Sequence, residues 1–330
     1  MVTRSLILAL AAALSACGGG GSDSAGAPAP QPGPAGAASV LTVDVASTDP
    51  AVSTAFGSTH YAYINRGVGA KNRLFLFFGA TDAPPKNYQL IGTAAADAGF
   101  HSLGLAYPNG PQPVNSAALC GGSTDPDCTG KIREEVLSGS DASPLISVGV
   151  ADSVQNRLVK ALTYLDQQYP ADGWGQYLDR GAVRWDLVRV SGLSQGGGLA
   201  GYIAKKFAVD RACFFSSPAD WDTVGGQPAA WILRAGGATP ASRIFGFNDQ
   251  IDPVVFYPRI LETWTAFGLD AFGAPVDVDT TTNYGGSHEL NTAQGTVVSA
   301  HTSTAADSTT PLDGTGAPAY LPVWKYACFN

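Results

Sequence analysis

Basic residues are scarce in this chain. Its 330 residues include 19 lysines and arginines against 27 acids, for a formal net charge of −8. The bases form no stripe that could track phosphates, which argues against nucleic acid as a partner. Long apolar runs are also missing. The apolar core Leu6 to Leu14 falls short of the ~20 residues needed to cross a bilayer. No internal repeat is present, so a solenoid or propeller is excluded. Histidines number only four, and just two of them, His288 and His301, follow residue 194.

What the amino terminus does contain is a targeting signal. Arg4 gives a positive start, Leu6 to Leu14 an apolar core, and small residues follow. Residues 1–17 read as a signal peptide, and Leu14-Ser15-Ala16-Cys17 resembles the lipobox of bacterial lipoproteins. That resemblance implies a lipidated amino terminus at Cys17 and a membrane anchor. The Gly-rich start of the mature chain, with no Asp after Cys17, resembles lipoproteins sorted to an outer membrane. A plain secretory signal cut nearby is the alternative. Residues 18–39 are almost entirely Gly, Ala, Pro and Ser. Such a segment buries too little surface to offset its ordering entropy and reads as a flexible tether. Residues 40–330 then form one domain with a single large core, expected to act as a monomer.

Leaving Cys17 aside, four cysteines remain, an even count in a chain bound for an oxidising compartment. Three pairings are open. Cys120 and Cys128 flank one short polar loop and are expected to pair, which leaves Cys213 with Cys328. A buried free thiol at Cys213 is the alternative.

Along the domain, apolar runs alternate with helical patterns. Strands are expected at Val40–Val45, Thr59–Ile64, Arg73–Phe78, Phe100–Ala106, Leu187–Ser191, Arg211–Ser217, Arg243–Phe247 and, last, Pro275–Thr282. Helices are expected at Tyr88–Ala98, from Val154 to Leu165 with Asp152 as cap, after residue 194, and at Val254–Phe267. The near-continuous run Leu74-Phe75-Leu76-Phe77-Phe78 suits a strand covered on both faces. The fold class is therefore α/β, a mostly parallel central sheet with helices on both faces. Tyr107–Ser143, rich in Pro, Gly, Ser and Asp, reads as a long insertion stapled by Cys120 and Cys128. It follows a strand end and so could narrow a cleft there. Asp125 and Asp127 within it read as solvated carboxylates rather than a cation site.

The most informative stretch is Gly192-Leu193-Ser194-Gln195-Gly196, set between an alternating strand and a small-residue helix. In that context G-x-S-x-G is a nucleophile elbow, in which a strained strand-to-helix turn pushes one hydroxyl outward. Gly192 and Gly196 fit because bulkier side chains would collide with the turn. A serine hydroxyl needs a base, and the base an orienting acid. His288, in Tyr284-Gly285-Gly286-Ser287-His288 just past the last expected strand, is the preferred base; His301 lies in a polar stretch with no clear element before it. The acid is Asp249 or Asp252. Asp252 precedes Pro253, so a helix-capping duty would account for it, and Asp249 is preferred. Oxyanion donors are expected from the backbone N–H groups of Gln195 and Ala80. Trp221, after another strand end, is a candidate wall of an acyl or aryl pocket. The chemistry calls for no metal and no organic cofactor.

Residues from about Arg73 to His288 resemble an α/β-hydrolase. Gly192-x-Ser194-x-Gly196-Gly197-Gly198, Asn248-Asp249-x-Ile251-x-Pro253 and Gly285-Gly286-Ser287-His288 are similar to motifs of secreted cutinase-type polyester hydrolases. The resemblance implies the same triad, Ser194, Asp249 and His288. Leu193 and Gln195 depart from the aromatic and Met residues those enzymes carry around the serine, and the Cys120/Cys128 insertion is absent from them. A second resemblance, to bacterial hydrolases with a Ser-Gln-Gly-Gly-Gly elbow, fits the insertion better and implies no particular substrate. The expected activity is serine-dependent hydrolysis of carboxylic esters, small or polymeric, in the cell envelope. A peptidase or acyltransferase on the same triad, or a non-catalytic surface-binding lipoprotein, is the alternative.

Overall fold

A computed structural model describes residues 36–110 and 116–330. The signal peptide, Cys17 and most of the Gly/Ala/Pro/Ser tether lie outside these residues. The end of the expected tether is ordered structure, because Ser39 already opens the first strand.

Among the described residues, nine strands form the central sheet. They are β1 (Ser39–Asp44), β2 (Thr59–Ile64), β3 (Leu74–Phe78), β4 (His101–Leu105), β5 (Val188–Leu193), β6 (Arg211–Phe215), β7 (Ile244–Asp249), β8 (Val276–Asp277) and β9 (Glu289–Thr292). Their order is β1-β2-β4-β3-β5-β6-β7-β9-β8. The pairs β1·β2 and β2·β4 are antiparallel, and every pair from β4 to β8 is parallel.

The alternation of β3 explains why both faces are covered. Leu74, Leu76 and Phe78 join one apolar cluster; Phe75 and Phe77 join another on the opposite face. The first cluster takes side chains from several helices, four of them long. The long ones are α3 (Cys128–Ser138), α4 (Val154–Gln168), α5 (Gln195–Lys206) and α6 (Tyr257–Phe267). Ile132, Leu158, Leu162, Ile203 and Trp264 are among its buried members. The second receives Ile91 and Ala95 of α1 (Gln89–Asp97), together with Val323, Trp324 and Phe329 from residues 321–329. Each fully buried Leu or Phe stabilises the fold by ~1.5–3 kcal/mol relative to its exposed state. Both expected disulfides are present: Cys120–Cys128, and Cys213–Cys328, which ties residues 321–329 to β6.

Three expectations are corrected. The insertion is not a bare loop: it holds α2 (Ser116–Cys120) and α3, whose Ile132 and Val136 recur at helical spacing and are buried. Asp125 and Asp127 in it pair with Lys131 (2.6 Å) and Arg234 (3.3 Å). The cap of α4 is Ser153, whose Oγ accepts from Asn156 N at 3.2 Å, while Asp152 pairs with Arg157 at 2.7 Å. Most consequentially, Pro275–Thr282 supplies only the two-residue edge strand β8, and the last strand inside the sheet is β9. Among the described residues no helix is long and apolar enough to cross a membrane.

Candidate active site

Ser194 sits between β5 and α5 with φ 55° and ψ −118°, a backbone region that non-glycine residues rarely enter. Holding it there costs ~1–3 kcal/mol, offset by the packed sheet around it. The turn is clamped by Ser194 N donating to Phe215 O (2.8 Å) and by Gly198 N donating to Ser194 O (2.9 Å). It is also too tight for side chains. A Cβ on Gly192 would stand 2.4 Å from the Gly196 carbonyl carbon, and one on Gly196 would stand 2.2 Å from Phe78 O. The steric reading of both glycines therefore holds.

Ser194 opens into a cleft of about 610 Å³ shared with Ala80, Thr81, Gln195, Trp221 and His301. His301 belongs to the single-turn helix α7 (Ala300–Ser303), which follows β9 on the carboxyl side of the sheet. Its Nδ1 lies 2.7 Å from Asp252 Oδ2, with the Asp252 side chain fully buried and that of His301 only 14% exposed. The two oxygens of Asp252 divide their work. Oδ1 accepts from Val254 N (2.8 Å) and Val255 N (3.1 Å), shaping the turn after β7, and Oδ2 is left for the imidazole. A carboxylate can only accept, so this contact places the Nδ1 proton and leaves Nε2 as the basic nitrogen.

His288 is not among the residues lining this cleft, and its expected role is corrected. It precedes β9, level with the start of β7, and so stands at the amino-terminal edge of the parallel strands. Its ring is sandwiched between Phe245 and Phe272, each 3.9 Å away centroid to centroid, and Nδ1 lies 3.2 Å from Ala241 O. Burial pushes its pKa below the ordinary histidine value. It is a packed, buried histidine.

Asp249 is corrected likewise. It ends β7, wholly buried, but its oxygens are spent on backbone and hydroxyl donors. Oδ1 accepts from Ile251 N (3.0 Å); Oδ2 accepts from Gly295 N (2.9 Å) and, at 3.4 Å, from Ser303 Oγ. Those last two donors bracket His301 in the chain, so Asp249 fastens the loop that carries the imidazole. Desolvation raises its pKa above the usual carboxylate value.

The loop after β3 lines the same cleft as Ser194. The Ala80 N–H is already engaged by Tyr88 Oη at 2.9 Å, and Ala80 O accepts from Asn109 Nδ2 at 2.7 Å. Ala80 lines the cleft, yet its amide is committed elsewhere, which corrects its expected donor role. The next residue, Thr81, reaches across the cleft: its Oγ1 donates to Gln195 Oε1 at 2.8 Å. Beneath Gln195 lies a buried ion pair missed at the sequence level. Arg133 of α3 pairs with Asp220 at 2.5 Å, donates from Nη1 to Gln195 O at 3.0 Å, and Asp220 also accepts from Trp231 Nε1 at 2.8 Å. Trp221 is half-buried in the wall of this cleft. Among the described residues no group of three or more His, Cys, Asp or Glu side chains is arranged to hold a metal.

No protein-family model matches the chain, and no curated protein matches it either. The functional reading therefore rests on the residues themselves.

Proposed function

We propose that the protein is a serine hydrolase of carboxylic esters with the α/β-hydrolase fold, acting through Ser194, His301 and Asp252. The observation that carries this reading is the Asp252–His301 contact in the same cleft as a serine held at φ 55°. Nucleophile, acid and histidine follow one another in the chain in the order that α/β-hydrolases use.

In the first half-reaction Ser194 Oγ attacks the ester carbonyl carbon while its proton passes to His301 Nε2. Asp252 Oδ2 holds the imidazolium through Nδ1–H. The tetrahedral intermediate expels the alcohol, which leaves with the proton from Nε2, and an acyl-serine remains. Water then attacks that acyl carbon, giving its proton to Nε2; the acid departs as Ser194 regains the proton. The developing oxyanion is met by the backbone N–H of Gln195 and, because the Ala80 amide is engaged by Tyr88, by that of Thr81. Anchorage in the cell envelope through Cys17 belongs to the same proposal.

A fluorophosphonate probe tests the nucleophile without presuming a substrate. Wild-type protein should label, and Ser194→Ala should not. A folded wild-type protein that never labels would favour a non-catalytic binding role.

A further inference from the structure

The cleft holds a second feature that the acyl-transfer machinery does not use. Of the charged side chains lining it, Arg133 is spent on Asp220. Arg259 also lines it, and among the described residues no carboxylate lies within ion-pair distance of its guanidinium. The guanidinium instead lies over the Trp221 ring, its Cζ 4.7 Å from the centroid. A guanidinium over an aromatic face keeps N–H donors available to a planar, bidentate anion, and Arg259 is exposed. Its position is otherwise unfavourable, since Arg259 stands in the first turn of α6, where the helix dipole disfavours a cation and no acid offsets it. The chain as a whole carries −8, so its long-range field repels anions, and selecting one requires a local cation of this kind.

We propose that Arg259, held by Trp221, is a carboxylate-recognition element, and that the substrates are esters bearing a free carboxylate, such as half-esters of dicarboxylic acids or the acid end of an oligoester. This inference rests on the serine hydrolase reading and narrows its substrate class.

The test compares matched p-nitrophenyl esters: glutarate with its second carboxyl free, and neutral pentanoate. A second pair, phenyl butyrates carrying a para carboxylate or a para carboxamide, asks the same of the alcohol part. In one pair or the other, wild-type kcat/KM should favour the anion by about tenfold, the scale of a solvent-accessible charge-assisted contact. Arg259→Gln should bring that ratio to about one while leaving the neutral ester within about twofold, and Arg259→Lys should keep part of it. The pair that responds shows which side of the ester faces Arg259. Ratios unchanged by Arg259→Gln in both pairs, with neutral esters still turned over, would overturn the carboxylate site alone. No turnover of any ester together with no fluorophosphonate labelling would overturn the hydrolase reading and this site with it.

Discussion

His301 Nδ1 and Asp252 Oδ2 lie 2.7 Å apart, although 49 positions separate them in the chain. The contact joins the turn after β7 to the loop after β9, two strands that are neighbours in the sheet. Parallel pairing brings both carboxyl ends to one edge, where Ser194 also emerges. That shared edge is why residues scattered along the sequence converge.

The two candidate acids should separate cleanly. Asp252→Asn removes the oriented tautomer and should lower kcat by about 10⁴-fold with little loss of stability. Asp249→Asn loosens the loop bearing His301 and should lower kcat by about tenfold, with a lower melting temperature. Steady-state ester hydrolysis beside thermal melts of both variants checks this. Equal turnover by wild type and Asp252→Asn would contradict the assignment.

Glu289 gives a pH-dependent stability of defined sign. Its side chain is buried in β9, Oε1 has no hydrogen-bond partner among the described residues, and desolvation, with Asp270 nearby, pushes its pKa up to about 7. The folded state therefore holds this proton more tightly than the unfolded chain does. Stability should fall as pH rises from about 4.5 to about 7, by an amount of order 2–3 kcal/mol, and level off above. Denaturant unfolding at pH 5 and pH 8 should show this step, and Glu289→Gln should remove it.

The Arg133–Asp220 pair beneath Gln195 should resist being broken on one side. Arg133→Ala strands a buried carboxylate and is expected to cost about 3–5 kcal/mol. A double replacement, Arg133→Met with Asp220→Leu, should recover much of that loss in denaturant titrations. Recovery of stability without recovery of turnover would tie the pair to the geometry of Gln195.

Much of this was legible in the sequence where a local rule and the global fold agree. The strand Thr59–Ile64 is found at its expected bounds. The Phe-rich β3, the elbow glycines and both disulfides also stand as read. That His301 follows an inner strand is not legible in the sequence, for a physical reason. β9 reads Glu-Leu-Asn-Thr, polar at three of its four positions, because its buried polar groups are served by neighbouring strands and loops rather than by apolar packing. Val276-Asp277-Val278-Asp279 alternates as a strand should, but pairs over only two residues at the sheet edge. Read as the last inner strand, that segment places His288 after a strand end. In fact it precedes one. The sequence reads Asp252 as a helix cap, yet a carboxylate has two oxygens and only one of them is needed for the turn.

The most direct test exchanges the two histidines. Under conditions where wild-type protein hydrolyses a p-nitrophenyl ester, His301→Ala should lower kcat by about 10⁴-fold or more while remaining folded. His288→Ala should lose about 1–3 kcal/mol of stability from its aromatic stack and keep kcat within a few-fold. Near wild-type kcat in His301→Ala, with activity abolished in folded His288→Ala, would contradict the account.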